Sequence, residues 1–315
     1  MGYLDLQHMP HGNAAGTVKT LAEVKDLSGR SRITRLVVGS VTKERREEDR
    51  GDIYYFDPKT DTSIHSMSLA NVGLKEFRLL LPSMARSVQE ERKGATKLWV
   101  SVVGFSPGEV AELVEVCNSK GADGVEINLG YPDWDSDGNL RFPFLEPRLA
   151  CETLAAVKKA LGKDHCKVGV KLGFLEKNPA LLQDLAEVFI GSGVVDRVIA
   201  SDCWPAQALA KEDGTPALAF RRGTGSIHCR HYGGLGGAPL RSRGLWTVSL
   251  LRRLLPAKVE IIGVGGILNS THVKEYLDAG ANGFQCGTAF RELGVSIFHQ
   301  IEDGLQKRRS YSYAS

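Results

Sequence analysis

Apolar residues follow two different spacings along this chain. From residue 98 onward, segments with one spacing alternate with segments with the other. Short runs that are apolar throughout are typical of strands buried on both faces. These runs predict strands at residues 32–42, 98–104, 124–129, 168–172, 195–200, 259–264 and 283–286, after a first strand that runs into the turn at 12–16.

Helices are predicted where apolar residues recur every three or four positions and where capping residues mark the ends. Thr20 with Glu23, and Ser106 with Glu109, have the spacing of a capping box. The pattern predicts helices that open at residues 20 and 106, others at 72–92, 147–161, 180–190, 240–255 and 269–280, and a last one with its apolar face at 297–305. Residues 53–71 are predicted to be irregular, and those between 201 and 239 to form a long loop.

Strand and helix segments alternate strictly, and the chain contains eight such pairs. Strands that are apolar throughout and separated by helices predict a parallel sheet, and eight pairs predict a closed (βα)8 TIM barrel. The sequence shows no linker and no repeat, so we predict one domain over residues 1–315, with 307–315 as a flexible tail. A doubly wound sheet is the alternative, but the segment GVGGIL at 263–268 lacks the third glycine of a dinucleotide-binding motif.

The composition is that of a globular protein with a large core, with 42% hydrophobic and 24% charged residues among 315. A net charge of +3 does not predict a nucleic-acid partner. The sequence contains no apolar run long enough to span a membrane, and we predict a cytoplasmic protein without a membrane partner. The six cysteines lack paired spacing, which indicates reduced thiols, and the compact stretch HCRH at 228–231 is not predicted to bind a metal.

Glycine turns follow the last two predicted strands. Gly265 and Gly266 come after the strand at 259–264, and Gly287 with Thr288 after the strand at 283–286. Backbone N–H groups at such turns can hold a phosphate, helped by the positive end of a following helix. Because barrels of this kind commonly bind phosphate after strands seven and eight, these four residues are predicted to do so. The alternative is that the glycines only permit tight turns.

Lysines stand at the ends of two predicted strands. Lysine is rarely buried without an anionic partner. Lys43 and Lys171 are therefore each interpreted as binding one of two partners: an electron-rich ring that gains negative charge, or a structural carboxylate. For Lys171, which lies in the apolar segment VGVKL, we favour the ring.

Motifs at the strand ends follow one another over nearly the whole chain: GNAAG, GSVTK, HSMSLANVG, VSVVGFS, EINLGYPD, VGVKLG, GGLGGAPL, IIGVGGI and QCGTAF. Together they resemble the soluble class 1 dihydroorotate dehydrogenases. The resemblance implies a (βα)8 barrel with FMN across its mouth, and a homodimer. It places Lys43 near both flavin and substrate, Lys171 at the N1/O2 side of the flavin, and Gly234 with Gly237 in a loop over the ribityl chain. The implied FMN contacts are Ala15, Gly16, Lys43, Ser101, Asn128, Lys171, Gly234, Gly237, Gly265, Gly266, Gly287 and Thr288.

The motifs that bind the substrate in that family are changed in this chain. In the family, a Cys or Ser before the proline in the loop after the fourth strand is the base that removes a proton as hydride passes to flavin N5; here, in the motif EINLGYPD, that position holds Tyr131. The orotate-binding segment corresponds to HSMSLAN at 65–71, and the asparagines after the sixth strand are replaced by SDC at 201–203. The implied substrate contacts are His65, Met67, Ser68, Leu69, Asn128, Ser201 and Asp202.

Tyr131 is interpreted as a proton donor, because a phenol with a pKa of about 10 is a poor carbon base at neutral pH. It would protonate one carbon of an activated C=C bond while the flavin gives hydride to the other. The opposite direction stays open if Lys43 or His65 lowers the phenol pKa, and a ring that only fills the pocket is the alternative. The implied catalytic residues are Tyr131, Lys43 and Lys171.

The sequence supports three functional hypotheses. The first is an FMN-dependent oxidoreductase that acts on a C–C/C=C pair of a small molecule other than orotate, because a site that loses its polar partners rejects the original ligand. The second is a genuine dihydroorotate dehydrogenase with an unusual base. The third is a flavin-free or inactive barrel that binds a phosphorylated ligand or a protein partner.

Overall fold

The computed structural model describes residues 6–92, 95–131, 133–134, 140–173, 178–207, 209–221 and 232–312. Within them the strands are β1 (His11–Asn13), β2 (Arg35–Val41), β3 (Arg50–Asp52), β4 (Tyr54–Asp57), β5 (Thr62–His65), β6 (Lys97–Val102), β7 (Gly124–Asn128), β8 (Asp133–Trp134), β9 (Leu140–Arg141), β10 (Lys167–Lys171), β11 (Arg197–Ala200), β12 (Trp204–Gln207), β13 (Ala219–Arg221), β14 (Tyr232–Gly237), β15 (Glu260–Val264) and β16 (Gly283–Cys286).

The helices are α1 (Leu21–Arg30), α2 (Leu74–Arg92), α3 (Pro107–Ser119), α4 (Pro147–Leu161), α5 (Pro179–Ser192), α6 (Arg241–Leu254), α7 (Ser270–Asp278), α8 (Thr288–Leu293) and α9 (Ser296–Ser312), with short 3₁₀ turns at Pro143–Leu145 and Ala238–Leu240. The predicted capping box is present at α1, where Thr20 Oγ1 accepts from the Glu23 N–H (3.2 Å) and Glu23 Oε2 accepts from the Thr20 N–H (2.8 Å). At α3 only one bond of the box is present: Ser106 Oγ accepts from the Glu109 N–H at 3.2 Å, while Glu109 Oε2 accepts from the Phe105 N–H at 2.9 Å.

Eight parallel strands close into a barrel in the order β1-β16-β15-β11-β10-β7-β6-β2. This confirms the predicted (βα)8 TIM barrel. The main apolar core fills the layer between the outer faces of the strands and the surrounding helices, and a small separate cluster of Ala14, Ile199, Ile262 and Val264 is also fully packed. Because all eight strands run in one direction, their carboxyl ends meet at one mouth, where the loops that carry function lie.

The inside of the barrel is partly polar, which the sequence analysis did not predict. Glu126 is fully buried and its Oε1 accepts from Gln285 Nε2 at 2.6 Å, and burial raises the pKa of this carboxyl group. At the amino ends of the strands, the Arg197 guanidinium lies 4.0 Å from the centroid of the Trp99 ring and pairs with Glu260.

Two segments that were predicted to lack regular structure contain strands. Residues 53–71 include β4 and β5, and the long loop before residue 240 includes β12, β13 and β14. β12, β14, β5 and β4 form an antiparallel sheet in that order, while β13 pairs with β3. The prediction was wrong because β14 is made largely of glycine, whose sequence signature is that of a turn, and its pairing comes from strands distant in the chain.

At the C-terminal end, α8 and α9 replace the single predicted helix, and α9 continues to Ser312, within the segment predicted as a flexible tail. The stretch 228–231 lies outside the described residues, as do Pro132 and residues 313–315. No helix in the described part of the chain is both long enough and apolar enough to cross a membrane. Five of the six cysteines are described, and each is a free thiol.

Candidate active site

A buried ion pair occupies the mouth of the barrel. Lys171 ends β10 and Asp202 lies just beyond β11, and the Lys171 Nζ atom is 3.1 Å from Asp202 Oδ1. Asn128, at the end of β7, donates from Nδ2 to Asp202 Oδ2 at 3.1 Å, and its Oδ1 accepts from the Gly130 N–H at 2.8 Å. Parallel pairing places Lys171 beside Asn128 on one side and Ile199 on the other, so this network follows from the barrel register. Among the described residues, the anionic partner of Lys171 is the carboxylate of Asp202.

Both members of this pair are ionised at neutral pH. Burial alone would lower the pKa of Lys171, but the neighbouring Asp202 carboxylate outweighs it and raises that pKa. Burial would likewise raise the pKa of Asp202, but Lys171 and the hydrogen bonds from the Cys203 N–H and from Asn128 hold it below its ordinary value. Each charge is therefore stabilised by the other in a largely buried site.

His65 and Cys203 approach each other around Gly234. His65 ends β5 and lies opposite Gly234 of the antiparallel strand β14. A Cβ atom at Gly234 would lie 2.6 Å from Cys203 Sγ and 3.1 Å from His65 Nε2, so only glycine fits. Burial, reinforced by the positive charges of Arg291 and Lys171, lowers the pKa of His65 to about 4 despite the opposing effect of Asp202. His65 is neutral at pH 7 and can exchange hydrogen bonds with a ligand without carrying charge.

Aromatic and cationic side chains form a wall beside this network. The Tyr131 ring meets the Phe105 ring edge to face at 6.4 Å between centroids, and the Arg46 guanidinium lies 5.5 Å from the Phe105 centroid. Arg46 Nε also donates to the Ser68 carbonyl oxygen at 3.1 Å. Ser68 has a φ of +48° and adopts the left-handed conformation that favours glycine. We name these three side chains, Arg46, Phe105 and Tyr131, the aromatic wall.

Lys43 lies at the rim, and its side chain is 43% exposed. Its Nζ atom is 2.9 Å from Glu112 Oε2 on α3, and this contact raises the pKa of Lys43. Ser101 is buried at the end of β6 and shares a hydrogen bond of 2.8 Å with Ser40. The structure therefore places Lys171 and Ser101 inside the mouth, while the described conformation of Lys43 is directed to a neighbouring helix.

The opposite side of the mouth has the features expected of a phosphate site. Gly265 and Gly266 have φ angles of +112° and +63°, and Gly287 is the N-cap residue of α8. Thr288 Oγ1 hydrogen-bonds to Ser63 Oγ at 2.7 Å. A Cβ at Gly236 would lie within 2.8 Å of both hydroxyl oxygens, so bare backbone is required there.

Positive charge adjoins these turns. Lys19 follows β1 and is partly buried, and burial lowers its pKa while Glu48 and Glu23 oppose that effect and nearby Arg291 adds to it. Nothing lies within 4 Å of a Cβ built on Gly16, so the backbone there faces open space. Bare glycine backbone, flanking cations and open space at Gly16 fit a flat cofactor with an anionic phosphate tail.

All of the predicted site residues lie at or after the carboxyl ends of barrel strands, or on β5 and β14 beside them. One detail of the prediction was wrong: Gly234 and Gly237 lie in strand β14, not in a loop. Sequence reasoning missed Arg46, Phe105 and Glu126, and it noted Cys203 only as a replacement in the segment at 201–203. Glu126 had a detectable signal, because it lies two residues before Asn128 and so shares its face of the strand.

Comparison with known proteins places this site in a family. The sequence profile described as dihydroorotate dehydrogenase matches residues 5–308. The chain belongs to this family. It is 26% identical over 310 residues to "Dihydroorotate dehydrogenase (fumarate)" of Lachancea kluyveri, covering 95% of this chain and 88% of that protein. It is 29% identical over 263 residues to "Dihydroorotate dehydrogenase B (NAD(+)), catalytic subunit" of Methanosarcina acetivorans, covering 81% and 78%.

Membership in the family defines the general chemistry. The family consists of flavoprotein oxidoreductases that act on CH–CH bonds with FMN as cofactor, and this chain is an oxidoreductase of that type. The described residues at the mouth fit FMN for the reasons given above. FMN supplies a flavin ring that accepts or donates two electrons as hydride at N5.

Proposed function

We propose that this chain is an FMN-dependent oxidoreductase that transfers hydride between flavin N5 and a C–C/C=C pair of a small molecule other than orotate. The observation that carries the proposal is the position of Asp202. Its carboxylate accepts the N–H donor of Asn128, which would otherwise be available to an anionic substrate, and its negative charge is placed beside Lys171. A ligand whose carboxylate and carbonyl groups lose their donors loses a large factor in binding.

Within this proposal, each implied residue has a role set by its place in the site. Tyr131 donates a proton to the carbon next to the one that exchanges hydride, and the aromatic wall contacts a planar substrate from one side. Neutral His65, Ser201 and the turn at Met67 to Leu69 supply hydrogen bonds and shape. The glycine turns after β15 and β16, with Thr288, hold the FMN phosphate, and Ala15, Gly16, Ser101, Gly234 and Gly237 line the flavin.

An anaerobic visible spectrum of the purified protein tests the proposal. We expect a flavin absorption band that is unchanged when dihydroorotate is added and that dithionite bleaches, which shows that the flavin is competent. The chemically reduced protein is then mixed with a panel of activated alkenes, and we expect at least one to restore the band. A preparation that binds no FMN, even after FMN is added, would refute the proposal.

A second candidate is a genuine dihydroorotate dehydrogenase with Tyr131 at the base position. It is favoured by the named relatives, which match this chain over most of their length. Bleaching of the flavin by dihydroorotate would establish this alternative and exclude the first.

We also propose that the protein is a cytoplasmic homodimer, as the class 1 resemblance implies. Light scattering on the FMN-loaded protein measures the mass directly. A monomer of 34.3 kDa would contradict the dimer without affecting the proposed chemistry.

A further inference from the structure

The Asp202 carboxylate is fixed from several directions. Besides the contacts with Lys171 and Asn128, its Oδ1 accepts from the Cys203 N–H at 2.8 Å, and its own N–H donates to the Leu172 carbonyl oxygen at 2.8 Å. The side chains of Lys171 and Asp202 are only 4% and 19% exposed. The protein backbone thus holds a negative charge against Lys171.

The position of the pair relative to a bound cofactor follows from barrel order. The glycine turns that fit the phosphate follow β15 and β16, and Lys171 ends β10, which is separated from β15 only by β11. A flat ring held at those turns and extending across the mouth would reach the ends of β11 and β10. The Lys171–Asp202 pair would then lie next to the ring rather than next to the phosphate.

We propose that Asp202 acts as the internal counter-ion of Lys171, lowers the reduction potential of bound FMN, and so directs the enzyme towards reduction of an electron-poor C=C bond. The inference rests on the proposed function and adds its direction. A lone ammonium beside the ring favours the reduced cofactor, because reduction adds negative charge to the ring. A carboxylate 3.1 Å from that ammonium cancels most of its field, and reduction becomes less favourable.

The electrons and protons of this reaction balance. Two electrons and one proton leave flavin N5 as hydride for one alkene carbon, and the proton from Tyr131 goes to the neighbouring carbon. The C=C π bond breaks and two C–H bonds form. A reduced nicotinamide or another two-electron donor of that class restores the flavin, and solvent restores the Tyr131 proton.

Asp202→Asn tests the inference because it removes the charge and keeps the shape. The midpoint potential of the bound FMN is measured anaerobically against a reference dye, with no substrate present. We expect the variant to have a more positive potential than the wild type, by at least a tenfold change in the reduction equilibrium, or about 30 mV for a two-electron couple. An unchanged or more negative potential would overturn the inference.

Asp123→Asn is the matched control. Asp123 also pairs with a strand lysine, Lys97, at 3.2 Å, but at the amino ends of the strands and away from the mouth. We expect its FMN potential to equal that of the wild type. An equal shift in both variants would mean that any loss of an acidic group moves the potential, which would contradict a specific role for Asp202.

The double variant Lys171→Met with Asp202→Asn keeps the test decisive if the single variant fails to fold, since it leaves no unpaired buried charge. Because the native pair is neutral overall, the double variant should have nearly the wild-type potential. A much lower potential would show that Lys171 acts as an uncompensated cation in the native protein. Wild-type protein that binds no FMN would overturn the proposed function as well, whereas loaded protein with an unresponsive potential overturns only this inference.

Discussion

The Tyr131 ring packs edge to face against Phe105, with 6.4 Å between the centroids and 73° between the ring planes. Because this contact involves the ring and not the hydroxyl group, Tyr131→Phe separates proton donation from packing. We expect the variant to bind FMN normally and to reoxidise its flavin about 10²- to 10⁴-fold more slowly with the activated alkene that serves the wild type. Stopped-flow absorbance of the flavin band measures this rate.

Phe105→Leu is the control for the packing role of the aromatic wall. It removes the edge-to-face contact and leaves the Tyr131 hydroxyl, so it should weaken substrate binding more than it slows proton transfer. Equal reoxidation rates in Tyr131→Phe and the wild type would assign Tyr131 to pocket filling alone.

Lys171→Ala should destabilise the FMN-free protein by about 3–5 kcal/mol at pH 7, because it leaves Asp202 as a buried, uncompensated charge. In the folded wild type the pKa of Asp202 is lowered, so its stabilising contribution is present above the unfolded pKa of about 3.9 and is lost as pH falls through the folded value. The difference between variant and wild type should therefore shrink in acid. Urea unfolding at several pH values measures it.

Lys97→Ala is the matched control for that measurement. Lys97 pairs with Asp123 at 3.2 Å, but the two side chains are 47% and 30% exposed. Removal of a solvated pair should cost no more than about 1 kcal/mol. Comparable losses in both variants would contradict the assignment of Lys171 and Asp202 as a buried, energetically coupled pair.

The barrel was predictable because each of its helices and strands is specified by residues close together in the sequence. Capping residues such as Thr20 and Ser106 mark helix starts, and apolar runs mark strands that are buried on both faces. The glycine strand β14 was not predictable, because its backbone pairs with β5, which lies more than a hundred residues earlier. Non-local pairing of this kind leaves no periodic pattern in the sequence.

The sequence predicts which residues lie in the candidate site, but not which of them contact each other. Strand ends indicated Lys171, Asn128 and Asp202 separately, since carboxyl ends of parallel strands meet at one mouth. Asp202 contacts both of the other side chains because of the turn after β11, where the Asp202 N–H donates to the Leu172 carbonyl oxygen. The sequence did not predict this turn. Likewise, nothing local indicated that Lys43 would pair with Glu112 across to α3.

His65 should make the protein less stable in mild acid. Its pKa is lowered to about 4 in the folded protein, against about 6.5 when unfolded. Between these values the unfolded chain binds more protons, so stability falls as pH drops from about 6.5 to 4, by at most about 3.4 kcal/mol. His65→Gln should remove this contribution, which urea unfolding at about pH 7 and pH 5 would detect.

His165→Gln provides the comparison for His65, because His165 is exposed on the surface. That variant should keep the wild-type acid sensitivity. A direct NMR titration of the His65 ring gives an independent check, and a midpoint near 6.5 would contradict the lowered pKa of this half-buried ring.

Gly234→Ala should disrupt the substrate side of the mouth. The new methyl group would lie 2.6 Å from Cys203 Sγ and 3.0 Å from His65 Cε1, so at least one of these side chains must move. Overpacking of this kind costs about 1–3 kcal/mol, and we expect FMN affinity to fall about tenfold because Gly234 is proposed to line the flavin. Fluorescence titration of the FMN-free protein with FMN, together with urea unfolding, measures both effects.

Gly191→Ala in α5, where a Cβ has no neighbour within 4 Å, should leave FMN affinity unchanged and raise stability by about 0.5–1 kcal/mol. If the two alanine variants behave alike, the close approach of His65 and Cys203 around Gly234 does not shape the FMN site.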